Sequence, residues 1–261
     1  MSRTVAIIQA RFAATRLPGK ALLTLGGRPV LEHVIARCAA IPSVDAVCCA
    51  TSDGADCDQV AEIAARCGVH VFRGDEADVL GRYRRAADDL GADVVLRVTA
   101  DCPLLDPAVC DAVIRLRREA GVDYASNNRI PSWPHGLDCE AFSAAALRLA
   151  DRCATLEVDR EHVTYWITER SGLTVANLPG PGNGAQEHRL TLDYPEDHAF
   201  LSALLEHLPP WPALPSWQDV AVVLEQHPGL AAINRHRRHH AAEAKGADEA
   251  QSADRSRKPH G

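Results

Sequence analysis

The chain has 261 residues, 46% of them hydrophobic and 24% charged, with a formal net charge of -7. Length and balance suit one large α/β domain or two small ones, and the acidic charge argues against a general nucleic-acid binder while leaving room for a small anionic substrate held by local cations. The first apolar stretch is too short for a signal segment and runs into Arg11, and no run of eighteen apolar residues occurs, so no membrane span and a cytoplasmic location are expected.

Apolar, β-branched runs alternate with helical patterns. Val5–Ile8 reads as a first strand and Val30–Ala39 as the helix after its loop. Val44–Thr51 reads as a second strand, and Ala55–Cys67 as an amphipathic helix with Val60, Ile63 and Ala64 at helical spacing, stopped by Gly68. Val69–Phe72 is a third predicted strand, Leu80–Leu90 a helix, Val94–Val98 a fourth strand and Pro107–Glu119 a further helix, with Pro107 suited to its first turn. This alternation implies parallel βαβ units in a doubly wound sheet, with ligands at the carboxyl ends of the strands. The residues after each strand are therefore the candidate contacts: Gln9–Lys20, Thr51–Asp53, Arg73–Asp78 and Thr99–Asp106.

The second half is less regular. Tyr124–Asn128 and Cys139–Phe142 read as short strands, Asp159–Arg170 as a helix and Arg189–Asp193 as a strand. Pro195–His207 and Trp217–Gln226 read as helices, the second capped by Ser216. Residues 1–234 are expected to form one domain, and the polar stretch 235–261 a disordered tail whose His236, His239 and His240 are solvated. The nine cysteines are odd in number, lack any C-x-x-C pair and lie partly inside apolar runs such as VDAVCCAT. They read as buried reduced thiols, since zinc-ligand spacing is missing.

Three motifs carry chemistry. QARFAATRLPGK (9–20) follows the first strand and holds Arg11, Arg16 and Lys20 on a loop that Pro18 and Gly19 keep from becoming a helix. Forked guanidinium donors, an ammonium and free backbone N–H groups are what a triphosphate requires. On spacing alone the same loop reads equally as a surface loop with solvated charges. RVTADCPLLDP (97–107) places Asp101 just past the fourth strand, where a carboxylate can hold magnesium against a nucleotide, and Asp106 where it caps the next helix. In HRLTLDYPEDH (188–198), Asp193 follows an apolar stretch and Pro195 opens a helix. Asp193 or Tyr194 can cap that helix, and Glu196 and Asp197 read as structural charges in its first turn.

The run IIQARFAATRLPGKALLTLGGRPVLEHVI resembles the opening of the cytidylyltransferases that activate acidic sugars such as Kdo and sialic acids. It is closer still to the spore coat polysaccharide biosynthesis protein F family. FRGDEADVLGRY, RVTADCPLLDP, PHGLDCEAFS, REHVTYWI and HRLTLDYPED follow in that family's order and extend the resemblance over residues 4–234. It implies a nucleotide-diphospho-sugar transferase fold, a Rossmann-like and GT-A-like three-layer α/β fold with a mostly parallel mixed sheet. It further implies CTP as donor and Mg2+ between two aspartates, in cell-surface polysaccharide or glycoconjugate biosynthesis. Arg11 and Lys20 match triphosphate-binding positions, Arg16 the loop's second arginine, and Asp101 and Asp193 the metal aspartates. A homodimer accords with the resemblance. The chain departs from the family at Phe12, at Ala13 and Ala14 in place of Gly-Ser, and at Ala100 in place of Gly.

With Arg11, Lys20 and Asp101 as the catalytic set, the nucleotide contacts are expected from Gln9, Ala10, Arg11, Arg16, Lys20 and Thr99, and the border of the nucleobase from Asp75, Asp78 and Arg82; Asp75 reads equally as a turn cap. Asp138 and Glu140 alternate with apolar residues, so both are expected on one face of a strand, open to sugar hydroxyls or an ammonium. Arg160 and His162 at a helix start are candidates to meet a sugar carboxylate; the other readings are a solvated strand face and a helix-start charge pair. The expected reaction is attack of an acceptor hydroxyl on the α-phosphorus of CTP with loss of pyrophosphate. A glycosyltransferase using a nucleotide sugar is the alternative enzyme, but it usually needs a D-x-D pair and the segment here is Asp101-Cys102-Pro103. A non-catalytic nucleotide-binding protein is the other.

Overall fold

The computed structural model describes residues 2–12 and 16–237. Its centre is β1 (Thr4–Gln9), buried along nearly its whole length. Successive side chains of a strand point to opposite faces. Ala6 and Ile8 accordingly enter one core and Val5 and Ile7 another. A strand apolar on both faces needs helices on both, so this hexapeptide marks the middle of three layers.

After a two-residue ladder, β2 (Thr24–Leu25) with β3 (Arg28–Pro29), come α1 (Val30–Ala39), β4 (Ala46–Ser52), α2 (Asp58–Arg66), β5 (His70–Gly74), α3 (Val79–Asp89), β6 (Val94–Thr99) and α4 (Pro107–Ala120). The second half contributes β7 (Tyr124–Ser126), β8 (Glu140–Ser143), α5 (Ala144–Cys153), α6 (Glu157–Glu161), α7 (Tyr165–Glu169), β9 (Val175–Asn177), α8 (Pro195–Leu205), α9 (Trp217–Gln226) and α10 (Pro228–Ala231). The main sheet has seven strands in the order β5-β4-β1-β6-β8-β7-β9. Only β8 runs antiparallel to its neighbours, β6 and β7. The expected mostly parallel mixed sheet is therefore present. Leu31 of α1, Ile63 of α2 and Val113 of α4 pack on one face, and Leu80 of α3 and Leu147 of α5 on the other. A third core joins Leu190 and Leu192 to Phe200 and Leu201 of α8 and Val220 and Leu224 of α9.

Two expected elements differ. The single helix over 159–170 is instead α6 and α7, broken at His162–Thr164. Val163 sits there at φ 57° with its side chain fully buried, and the Thr164 hydroxyl donates to Glu140. Burial and that hydrogen bond outweigh the cost of a β-branched residue in left-handed backbone. The expected strand at 189–193 is an extended segment with one isolated bridge, between His135 and Arg189. Leu190 N–H donates to His135 O and Leu192 N–H to Asp101 O, so its backbone is satisfied by loops and not by a ladder. Of the expected tail, Arg235–Arg237 forms a 3₁₀ turn, and residues 238–261, with His239 and His240, lie outside the described residues.

Asp106 caps α4, as expected, accepting from Ala108 N–H at 2.8 Å and Val109 N–H at 3.4 Å. Its other oxygen accepts from Trp217 N–H at 2.7 Å, tying the start of α9 to the start of α4. Asp106→Ala removes the cap and leaves a buried donor unpaired, so it should lower unfolding free energy by about 3 kcal/mol. Urea denaturation of Asp106→Ala beside Asp106→Asn checks this, and equal stability of Asp106→Ala and wild type would contradict it.

Candidate active site

Two parallel neighbours in the sheet set the position. Gln9 ends β1 and Thr99 ends β6, paired side by side in the register, and Ala100 N–H donates to Gln9 O. The chain leaves β1 through Arg11 and returns at Lys20, which opens a 3₁₀ turn, Lys20–Leu22. Gly19 makes that return possible. Its φ is 67°, its N–H donates to Phe12 O, and a Cβ there would lie 3.0 Å from the Phe12 ring. Ala13 and Ala14 lie outside the described residues.

Lys20 Nζ donates to Asp101 Oδ2 at 2.5 Å and to Asp193 Oδ1 at 2.9 Å. Arg16 approaches the same Asp193 oxygen at 3.4 Å. The two carboxylates are 92 positions apart in the chain, yet they share one ammonium because the 189–192 segment is pinned to Asp101. Leu192 N–H and the Thr191 hydroxyl both donate to Asp101 O. Asp101 Oδ1 accepts from the Thr99 hydroxyl. Asp193 Oδ2 accepts from Arg189 Nη2 at 2.8 Å, and Arg189 is itself held by the buried Asp197 through two bonds. Asp197 also accepts from Asp193 and Tyr194 N–H, so it, and neither Asp193 nor Tyr194, caps α8 with its side chain. Arg189 is the residue sequence reasoning missed. Its signal was the one arginine in HRLTLDYPED, four positions before the aspartate it orients.

A cavity of about 490 Å³ opens at this point, its wall formed by Gln9, Arg11, Arg16, Lys20, Thr99, Ala100, Asp101 and Asp193, among others. Burial alone would raise the Asp101 and Asp193 carboxyls. The Lys20 ammonium overrides it and holds both below the usual carboxylate range, with Arg189 adding to the effect at Asp193. Lys20 is raised in turn, burial being outweighed by the two carboxylates. Cys102, buried beside Asp101, is pushed well up and stays a neutral thiol.

Most of the residues expected at the nucleotide meet here; the others do not reach the wall. Ala10 is buried, its N–H spent on Ala50 O. Asp75 takes its turn-capping alternative, accepting from Ala77 and Asp78 N–H, and Asp78 caps α3 and pairs with Arg160. Arg82 is buried and holds the carbonyls of Asp75 and Glu76. Arg160 is not available to a substrate carboxylate, because Asp78 and Asp151 already occupy it. The shared strand face of Asp138 and Glu140 does not hold either. β8 begins at Glu140, while Asp138 lies before it and accepts from Gly136 N–H. Glu140 is buried against Arg97, Tyr124 and Thr164. His162 is exposed, and its neighbour Glu161 reaches Arg11 at 3.8 Å.

Two hard carboxylates close enough to share a monovalent cation suit a divalent ion that draws its remaining ligands from water and phosphate. Among the described residues no group of three or more His, Cys, Asp or Glu side chains that could hold a metal ion occurs.

A cationic loop at the end of β1 facing two carboxylates, on a doubly wound sheet, defines a nucleotidyltransferase. The chain belongs to the cytidylyltransferase family, whose match covers residues 5–204. It is 32% identical to the spore coat polysaccharide biosynthesis protein SpsF of Bacillus subtilis, over 88% of this chain and 98% of that one. It is 31% identical to a 3-deoxy-manno-octulosonate cytidylyltransferase of Anaeromyxobacter dehalogenans, over 79% and 76%. Its structure superposes on a cytidylyltransferase from Leptospira borgpetersenii with a TM-score of 0.83 at 28% identity, covering 88% of this chain and 97% of the other.

Lys20→Met should expose the cost of placing two carboxylates together. In the wild type both are held low, so their stabilising contribution is present above about pH 4 and is lost as the pH falls through their folded values. The variant keeps two facing negative charges at neutral pH and is relieved by protonation. It should be less stable than wild type at pH 7, with the gap narrowing toward pH 4. Urea denaturation across that range is the measurement, and a gap independent of pH would count against the assignment.

Proposed function

We propose that this chain transfers CMP from CTP to a hydroxyl of a sugar or sugar acid and releases pyrophosphate, using Mg2+. The observation that carries the reading is the Lys20 ammonium seated between Asp101 and Asp193 at the mouth of a loop bearing Arg11 and Arg16. The relatives that act on 3-deoxy-manno-octulosonate or serve spore coat polysaccharide synthesis support the donor and the acceptor class.

In this reading Arg11, Arg16 and Lys20 neutralise the triphosphate and the departing pyrophosphate. Asp101 and Asp193 would hold the magnesium ion, with Thr99 and Arg189 fixing their second oxygens. The ion, when bound, polarises the α-phosphate and favours the ionised acceptor hydroxyl. The chain's own work is positioning and charge stabilisation, without a covalent intermediate. The turn at 75–78, shaped by Arg82, borders the nucleobase, and Asp138 and His162 remain as acceptor contacts. Asp193 is delivered by the segment that also builds the third core, which supports treating residues 1–234 as one unit. A cytoplasmic homodimer completes the proposal. Among the described residues no helix is long and apolar enough to cross a membrane.

The test is a pyrophosphate-release screen of four nucleoside triphosphates against sugars and sugar acids with Mg2+. CTP should be preferred with at least one sugar acid, and Asp101→Asn should lose about a hundredfold in turnover. Release with no pair, or full turnover in Asp101→Asn, would refute the reading.

A further inference from the structure

Glu140 is not at the cavity, but it is linked to it. In the register of the sheet, Arg97 on β6 stands between Glu140 on β8 and Ile7 on β1, and Gln9 lies two residues beyond Ile7 on the same strand face. The guanidinium uses that placement to bridge two strands. Its Nη1 donates to Glu140 Oε2, and its Nη2 donates to Gln9 Oε1 at 3.1 Å. The other Glu140 oxygen accepts from the Tyr124 hydroxyl at 2.6 Å and the Thr164 hydroxyl at 2.7 Å. Both carboxylate oxygens are therefore occupied inside the protein, and the charge of Arg97 is matched before the cavity is reached.

Arginine carries only donors. The Gln9 atom that meets it must be the carbonyl oxygen, which directs the amide nitrogen the other way. Gln9 is on the cavity wall beside Thr99 and Asp101. We propose that Gln9 Nε2 is a fixed hydrogen-bond donor to a substrate oxygen, and that Arg97 and Glu140 are positioning residues that lock its orientation. The oxygen belongs either to a phosphoryl group of the nucleotide or to a hydroxyl or carboxylate of the acceptor; the inference rests on the nucleotidyltransferase reading for those substrates. A neutral donor is what the place requires, since a carboxylate at position 9 would set a third negative charge near Asp101 and Asp193. Arg97, neutralised by Glu140, lets a glutamine stand there with a defined polarity.

A double-mutant cycle tests the claim that Arg97 acts through Gln9. Gln9→Ala should lower kcat/KM roughly tenfold, the size of one lost substrate hydrogen bond. Arg97→Lys keeps a charge for Glu140 but offers one ammonium where two bonds are needed, and should cost several-fold in wild type. In the Gln9→Ala background it should cost nothing further. The loss appears in the KM for CTP if the oxygen is a phosphoryl oxygen, and in the acceptor KM if it is not. Gln9→Glu, which keeps an acceptor for Arg97 and replaces the donor by an acceptor, should be worse than Gln9→Ala. Independent, multiplying losses in the cycle would overturn the proposal, as would wild-type kinetics in Gln9→Glu. A wild type that releases pyrophosphate with no pair tells against the enclosing function instead, and is seen before any variant is made.

Discussion

The ammonium of Lys20, bonded at once to Asp101 and Asp193, is the interaction on which the rest of the site is arranged. Two carboxylates buried at one place repel each other and lose hydration, and either cost alone would raise their pKa. The cation reverses the sign. Everything nearby serves to bring these groups to one point. β1 and β6 end in register, the Gly19 turn returns the loop, and the Thr191 hydroxyl and Leu192 N–H donate to Asp101 O. The aspartate that arrives from farthest away is also the best braced, through Arg189 to the fully buried Asp197. An acidic protein thus gathers its few useful cations at one strand end.

The parts of this arrangement that could be read from the sequence are those fixed locally. β1 is apolar on both faces, which demands a covered parallel sheet, and residues that follow such strands fall at the ligand edge. Lys20 and Asp101 emerged from that logic, and Asp193 only from the family resemblance that the ordered motifs carry. What escaped was set by contacts distant in sequence. The helical pattern through 159–170 is real, but Val163 is drawn into the core and Thr164 toward Glu140, and the helix breaks between them. Leu190 and Leu192 alternate as a strand would, yet no neighbour offers a ladder. Arg160 and Glu140 looked available because a sequence displays charges and not their partners.

Two of the buried charge groups in this molecule pair arginine with carboxylate. Arg189 answers Asp193 and Asp197, and Arg97 answers Glu140, with hydroxyls completing the carboxylate. Such groups add little net stability over apolar packing, but removing one member leaves a buried charge uncompensated. Their effect is orientation: each fixes a side chain on the cavity wall, Asp193 in one case and Gln9 in the other. The oxygen of Asp193 that faces Lys20 and the amide of Gln9 are aimed from behind by arginines.

The thiols have a practical consequence. All nine cysteines are unpaired, and only Cys67 and Cys153 are not buried. Burial pushes Cys48 up to about 12 and Cys38 and Cys49 higher still, so these sulfurs are almost entirely protonated at neutral pH and react slowly with electrophiles. Cys153, exposed at the last residue of α5, stands four positions before α6, the helix whose Glu161 touches Arg11. A maleimide dye would attach there first, without a cysteine-free background, and its fluorescence would follow any rearrangement of that corner while the catalytic surface stays unmodified.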